Sequence, residues 1–228
     1  MARGVLFDLF GTVVRPFSRT LHGAVLRHAA GLLGLDPATC EELWEADYAS
    51  RVRGWSGDIT DQLCSIALVE GVSPRAEHFD RVTDMYRGFC DRAMEPLPGA
   101  VSTLASLGER SVPVGLVSNA APDFVESFER CELRPRFATC TFSSVVGVAK
   151  PDSAIYLLAA ESLGIEPEHL LFVGDGSDDE LGGAGRAGLH PALVPSVTSD
   201  TYDPERPAVM SWKGAVLENL AGVLPLLD

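Results

Sequence analysis

The chain has 228 residues, 46% of them hydrophobic, and a formal net charge of -14. That supply of apolar residues supports one full core with a subdomain added, and no tract has the composition of a disordered segment. The acidic balance disfavours nucleic acid and anionic membranes as partners, so a small anionic substrate would need a local cation.

The five cysteines (Cys40, Cys64, Cys90, Cys131 and Cys140) are odd in number, scattered and never spaced as C-x-x-C, which reads as ordinary reduced thiols. The N-terminal apolar run is broken by Asp8 and lacks a cleavage-site pattern. No stretch reaches the roughly 18 apolar residues that a membrane span needs. The expectation is a soluble cytoplasmic protein, monomer or homodimer, with no nucleic-acid or membrane partner.

The run Gly4-Val5-Leu6-Phe7 is too short for a helix and ends in Asp8, followed by Gly11. It predicts a buried strand that delivers Asp8 to its C-terminal tip. From about Thr20 to Asp91 the signals are helical. Leu21, Val25, Leu26, Ala29, Leu32 and Leu33 recur at helical spacing before Gly34, and Asp36-Pro37 opens a second helix in the N-cap and first-turn manner. Asp58 or Thr60 caps a third that ends near Gly71, and Ser73-Pro74 starts a fourth carrying Phe79, Val82, Met85, Tyr86 and Phe89. Glu95-Pro96-Leu97-Pro98-Gly99 is the stiff linker back.

Beyond Gly99, helices alternate with short β-rich runs. A helix through Val101, Leu104 and Leu107 precedes the strand 112–117, which ends in Ser118-Asn119. A helix near 123–131, a weaker strand near 138–142 and a helix over 151–163 follow. The strand 170–173 ends in Gly174-Asp175, a helix crosses 180–187, 190–194 is a last short strand, and 214–224 reads as a closing helix. This alternation predicts a parallel sheet covered on both faces.

On such a sheet the polar groups that end strands share one edge, where ligands of open α/β folds bind. Asp8, Ser118 with Asn119, and Asp175 with the acids after it can therefore converge. Clustered carboxylates repel unless a hard cation sits between them, and an all-oxygen site suits Mg²⁺. Asp178 alone reads as a solvated acid at a helix N-terminus. Lys150-Pro151, with the proline at a first helical turn, places a positive charge at that edge.

In that order the residues resemble the haloacid dehalogenase-like hydrolase superfamily. Asp8-Leu9-Phe10-Gly11-Thr12 is similar to its nucleophile motif, Ser118 to its strand-end Ser or Thr, Lys150-Pro151 to its lysine motif, and Gly174-Asp175 with Asp179 or Glu180 to its acidic motif. The resemblance implies an α/β fold, a Rossmann-like core of residues 1–15 and 96–228 with a helical cap of residues 16–95. It also implies a Mg²⁺-dependent phosphatase acting on a small phosphorylated metabolite. Asp8 would be the covalent nucleophile, Ser118 and Asn119 would bind the transferring oxygens, Lys150 would balance charge, and Asp8, the Phe10 carbonyl and Asp175 would hold the metal.

Phe10 departs from the phosphatase pattern, which has a proton-transferring aspartate at that place. An aromatic residue there, and Tyr156 after Lys150, resemble the dehalogenase branch. That branch uses no metal and lacks the Gly-Asp pair that Gly174-Asp175 retains. A 2-haloacid dehalogenase forming an ester on Asp8 is therefore the alternative, and a non-catalytic binding protein on the same fold is a third reading.

In the helical segment Arg51 and Arg53, beside Trp55 and Gly57, could meet a second anionic group, against the plainer reading of a solvated helix end. His22 and His28 could replace the missing acid/base, although each also reads as a surface histidine. Trp212 reads as a packing residue.

Overall fold

Strand β1 (Gly4–Phe7) is buried along its whole length, and every other element is placed relative to it. The structure is a computed structural model, which describes residues 2–227. After β1 come five helices: α1 (Arg19–Leu33), α2 (Pro37–Ala46), α3 (Tyr48–Arg51), α4 (Ile59–Glu70) and α5 (Ala76–Ala93). The chain then runs through α6 (Ala100–Glu109), β2 (Val114–Ser118), α7 (Pro122–Arg130), β3 (Thr139–Phe142) and α8 (Ser143–Val146). It finishes with α9 (Ser153–Leu163), β4 (Leu170–Gly174), α10 (Glu180–Arg186), β5 (His190–Leu193), α11 (Pro207–Met210) and β6 (Ala215–Val216).

The strands form one sheet in the order β3-β2-β1-β4-β5-β6, with every neighbouring pair parallel. Such strands are apolar on both faces because helices cover both. Val5 and Phe7 point into a core shared with α1, α2 and α4 to α7, while Leu6 and Phe172 point into a second core with α9 and α10. Burying each of these large side chains favours folding by about 1.5–3 kcal/mol. Gly115 in β2 sits where a Cβ would collide with Leu6, so the strand spacing there depends on a residue without a side chain.

The expected helix signals act as follows. Ser18 caps α1 and Gly34 closes it at φ 74°. Asp36 caps α2 with Pro37 in its first turn, and Asp58 with Asp61 forms a capping box for α4. The two links to the helical stretch run side by side. Val14 bridges Pro96 in antiparallel fashion, Leu97 N–H donates to the Val13 carbonyl at 2.9 Å, and Arg15 pairs with Glu95 at 2.7 Å.

Several expectations need correction. The helical stretch holds a fifth, short helix, α3, and α5 begins at Ala76, after Ser73-Pro74 rather than on them. Pro151 lies ahead of the first turn of α9, whose N-cap is Asp152, and the Lys150–Pro151 bond is cis. The closing helix over 214–224 is absent. Ala215 and Val216 pair with Ala192 and Leu193 as β6, Leu217 N–H bonds the Leu193 carbonyl at 2.8 Å, and a 3₁₀ turn over Leu220–Leu226 follows. The open sheet edge offers those residues backbone partners, and that outweighs a helical spacing interrupted by Gly222 and Pro225. Among the described residues no helix is long and apolar enough to cross a membrane.

Candidate active site

Because β2, β1 and β4 are neighbours, their C-terminal ends meet. Asp8 follows β1, and its N–H donates to the Val173 carbonyl of β4 at 2.9 Å. Ser118 ends β2, and Asp175 follows Gly174 at the end of β4. Asp8, Asp175 and Lys150 are all at most 5% exposed. Lys150 Nζ donates to Asp8 Oδ1 and to Glu180 Oε2, each at 2.5 Å, and Thr12 Oγ1 donates to Asp8 Oδ2 at 3.2 Å.

The structure distinguishes the two adjacent acids. Glu180 is fully buried, accepts from Gly176 N–H at 2.8 Å and joins the cluster, whereas Asp179 turns outward to Arg186 at 3.1 Å. One carboxylate oxygen from each of Asp8, Asp175 and Glu180 lies within 4.8 Å of the others. Burial pushes the Asp8 and Glu180 carboxyls up, and a neighbouring charge adds to it in each case, Asp175 at Asp8 and Asp8 at Glu180. Burial alone would depress the Lys150 ammonium, but the charges of Asp8 and Glu180 outweigh it and hold the group well above its ordinary value. A buried cluster of three carboxylates is a donor set that suits a hard divalent cation. Gly11, at φ 78°, lets Asp175 lie against the backbone that follows Phe10, where a Cβ would run into the carboxylate.

Asn119 takes a holding role: its Oδ1 accepts from Lys150 N–H at 2.8 Å, and its Nδ2 donates to the Lys150 carbonyl at 3.1 Å and to Asp178 Oδ2 at 2.7 Å. Asp178 is thus tied into the site, with Tyr48 OH also donating to it at 3.1 Å, rather than solvated. Ser118 Oγ is buried and has no hydrogen-bond partner among the described residues. An unpaired buried hydroxyl is costly, and an oxygen-rich ligand beside Asp8 would satisfy it.

These groups open into a cavity of about 430 Å³ between the strand tips and the helices α1, α2, α3 and α5. Its far wall is aromatic. The Phe10 ring packs edge-on against Phe17 and Phe124, with centroids 5.8 and 5.4 Å away, and Trp44 and Tyr86 continue the surface. Arg51 lines this wall, 8% exposed, with its guanidinium 4.3 Å over the Trp44 ring and bonded to the Trp44 carbonyl. Among the described residues it has no acidic partner within ion-pair distance. The expected basic and aromatic patch therefore divides, since Arg53 and the exposed Trp55 stack on each other away from the cavity.

His22 is a buried wall residue, between Tyr202 OH at 2.8 Å and Tyr86 OH at 3.2 Å. Burial and the Arg51 charge lower it to about 3, so the ring is neutral near pH 7. His28 is exposed on α1. Tyr156 lies behind the site, donating to the Glu180 carbonyl at 2.9 Å and packing on Phe172. Trp212 packs against the second core.

Sequence reasoning missed the loop after β5. Ser196 Oγ donates to Asp175 Oδ2 at 2.7 Å, and Arg206 pairs with the same oxygen at 2.7 Å. Tyr202 and Asp203 line the cavity. The available signal was position, because a long polar loop leaving a parallel strand at its C-terminal end is where such folds place functional groups.

Comparison with known proteins gives a consistent picture. Residues 2–188 match the family description haloacid dehalogenase-like hydrolase. The chain is 30% identical to phosphoglycolate phosphatase 1 of Pseudomonas aeruginosa over 235 aligned residues, covering 100% of this chain and 80% of that protein. It is 27% identical to glyceraldehyde 3-phosphate phosphatase of Methanopyrus kandleri, covering 83% and 82% of the two chains. In fold it resembles the crystal structure of a 2-haloacid dehalogenase from Pseudomonas syringae, with a TM-score of 0.68 at 20% identity over 100% and 98% of the chains. With the family pattern running through most of its length, this chain belongs to the haloacid dehalogenase-like hydrolases.

Proposed function

We propose that this hydrolase is a Mg²⁺-dependent phosphatase acting on a small phosphorylated metabolite, with residues 16–95 as a cap over a core of residues 1–15 and 96–228. The observation that carries this reading is the meeting of Asp8, Asp175 and Glu180 at one strand edge around Lys150. Both relatives named above that share sequence with it over most of its length are phosphatases.

Asp8 attacks phosphorus, forming a bond from its carboxylate oxygen while the ester oxygen leaves, and water then hydrolyses the aspartyl-phosphate. Lys150 fixes the attacking carboxylate and balances charge. Ser118 Oγ, without a partner of its own, donates to a phosphoryl oxygen, and Asn119 completes that side of the site. Asp8, the Phe10 carbonyl and Asp175 would hold Mg²⁺, which supplies neutralisation of the charge gathered on the transferring group. Arg51, buried and without an ion-pair partner among the described residues, would receive a second anionic group on the substrate, with the aromatic wall around its body.

A 2-haloacid dehalogenase is the second reading, favoured by Phe10 at the acid/base position and by the likeness in fold to a dehalogenase. The deciding experiment follows hydrolysis of a phosphate ester and halide release from 2-chloropropionate, each with excess EDTA and with excess Mg²⁺. Phosphate release abolished by EDTA supports the first reading. Metal-independent halide release without phosphatase activity replaces it with the second.

A further inference from the structure

The cation that meets Asp175 in this structure comes from the chain itself. Arg206 is 6% exposed, with Nη1 2.7 Å from Asp175 Oδ2 and 2.9 Å from the Asp175 carbonyl oxygen, while its Nε donates to the Asp203 carbonyl at 3.0 Å. Ser196 Oγ donates to the same Oδ2, and Ser177 N–H donates to Oδ1 at 3.2 Å. Both oxygens of this carboxylate therefore already have donors. Arg206 also has a left-handed backbone, φ 37° and ψ 67°, a conformation that a non-glycine residue keeps only where its surroundings enforce it.

A guanidinium is charged at every relevant pH and offers only donors, so it cannot join a metal's ligand shell. Two cations against one buried carboxylate repel strongly. We propose that Arg206 is a built-in competitor of the divalent cation. It neutralises Asp175 when no metal is bound, and it must swing away, taking the segment 203–210 with it, before a metal can use that carboxylate. Metal affinity is thereby set by a residue that is not a ligand. The proposal rests on the reading above that a divalent ion binds at Asp8 and Asp175.

The test is calorimetric titration with Mn²⁺ of the wild-type protein, Arg206→Gln and Asp175→Asn, together with hydrogen exchange of the wild type with and without saturating Mn²⁺. Arg206→Gln should tighten Mn²⁺ binding by about tenfold or more, since the ion no longer displaces a charge. In the wild type, amides of 203–210 should exchange faster with Mn²⁺ bound, and this readout needs no variant to fold. Unchanged or weaker affinity in folded Arg206→Gln, or slower exchange of 203–210 on metal addition, overturns the competition. Binding that Asp175→Asn abolishes but Arg206→Gln does not tighten overturns it while leaving the metal site standing. Absence of Mn²⁺ binding in both the wild type and Arg206→Gln overturns the metal reading and the competition together.

Discussion

Lys150 Nζ stands 2.5 Å from Asp8 Oδ1 and 2.5 Å from Glu180 Oε2, so one buried ammonium is shared by two buried carboxylates that come from opposite ends of the sequence. Removing the ammonium leaves both carboxylates buried without that shared counter-ion. Lys150→Met should destabilise the fold by about 3–5 kcal/mol. Adding Glu180→Gln should restore part of that loss, because it removes one of the stranded charges. Urea denaturation of the single and double variants checks both statements, and a double variant less stable than Lys150→Met would contradict them.

Asp8→Asn keeps the side-chain shape and an acceptor for Lys150 while removing the nucleophile. The variant should fold, by its circular dichroism, and lose several orders of magnitude in kcat. Turnover close to the wild-type rate would rule out covalent catalysis by Asp8.

Phe10 packs its ring into the aromatic wall and has no proton to give. His22, neutral near pH 7, has both ring nitrogens within hydrogen-bond distance of tyrosine hydroxyls. Leaving groups that need little protonation should therefore be favoured, so an aryl phosphate should turn over faster than an alkyl phosphate. Equal kcat for the two esters would mean that another group delivers the proton.

Asp123 at the start of α7 accepts from Ile59 N–H of α4 at 3.1 Å, and burial together with the Asp58 charge pushes its carboxyl up to about 6. The folded state therefore binds this proton more tightly than the unfolded chain, in which the carboxyl titrates near 3.8. Its contribution to stability is fully present below that value and is lost as pH rises through about 6. Asp123→Asn keeps an acceptor for Ile59 without the charge. It should stabilise the protein by about 1–3 kcal/mol at pH 8 and have little effect near pH 4, as measured by denaturation at the two values.

The central strands were legible because β1, β2 and β4 are uninterrupted apolar runs that end in polar residues, a pattern that neither a solvated loop nor an amphipathic helix produces. The helix cap at Asp36 was legible for a similar reason, since short-range chemistry determines it, whereas for α4 the sequence left Asp58 and Thr60 open and the structure has Asp58. Strand β6 was not, because it exists only through its pairing with β5 across the sheet edge. Nor could sequence choose between Asp179 and Glu180. Asp178 and Asp179 both adopt left-handed backbone, and that local twist decides which acid turns inward. Arg206 was hidden by distance: it lies in a loop with no periodic pattern, and only the folded chain brings it against Asp175.

The pairing of Val13 to Arg15 with Glu95 to Leu97 has a consequence for how this architecture can vary. To the sheet, the whole helical excursion enters and leaves through one narrow two-stranded neck, as though it were the tip of a hairpin. Its length is thereby only weakly tied to the geometry of the strand ends, because lengthening a loop whose ends are already joined adds little closure entropy. Selection can rebuild the wall that carries Arg51 and Trp44 while Asp8, a few residues upstream of the neck, keeps its place.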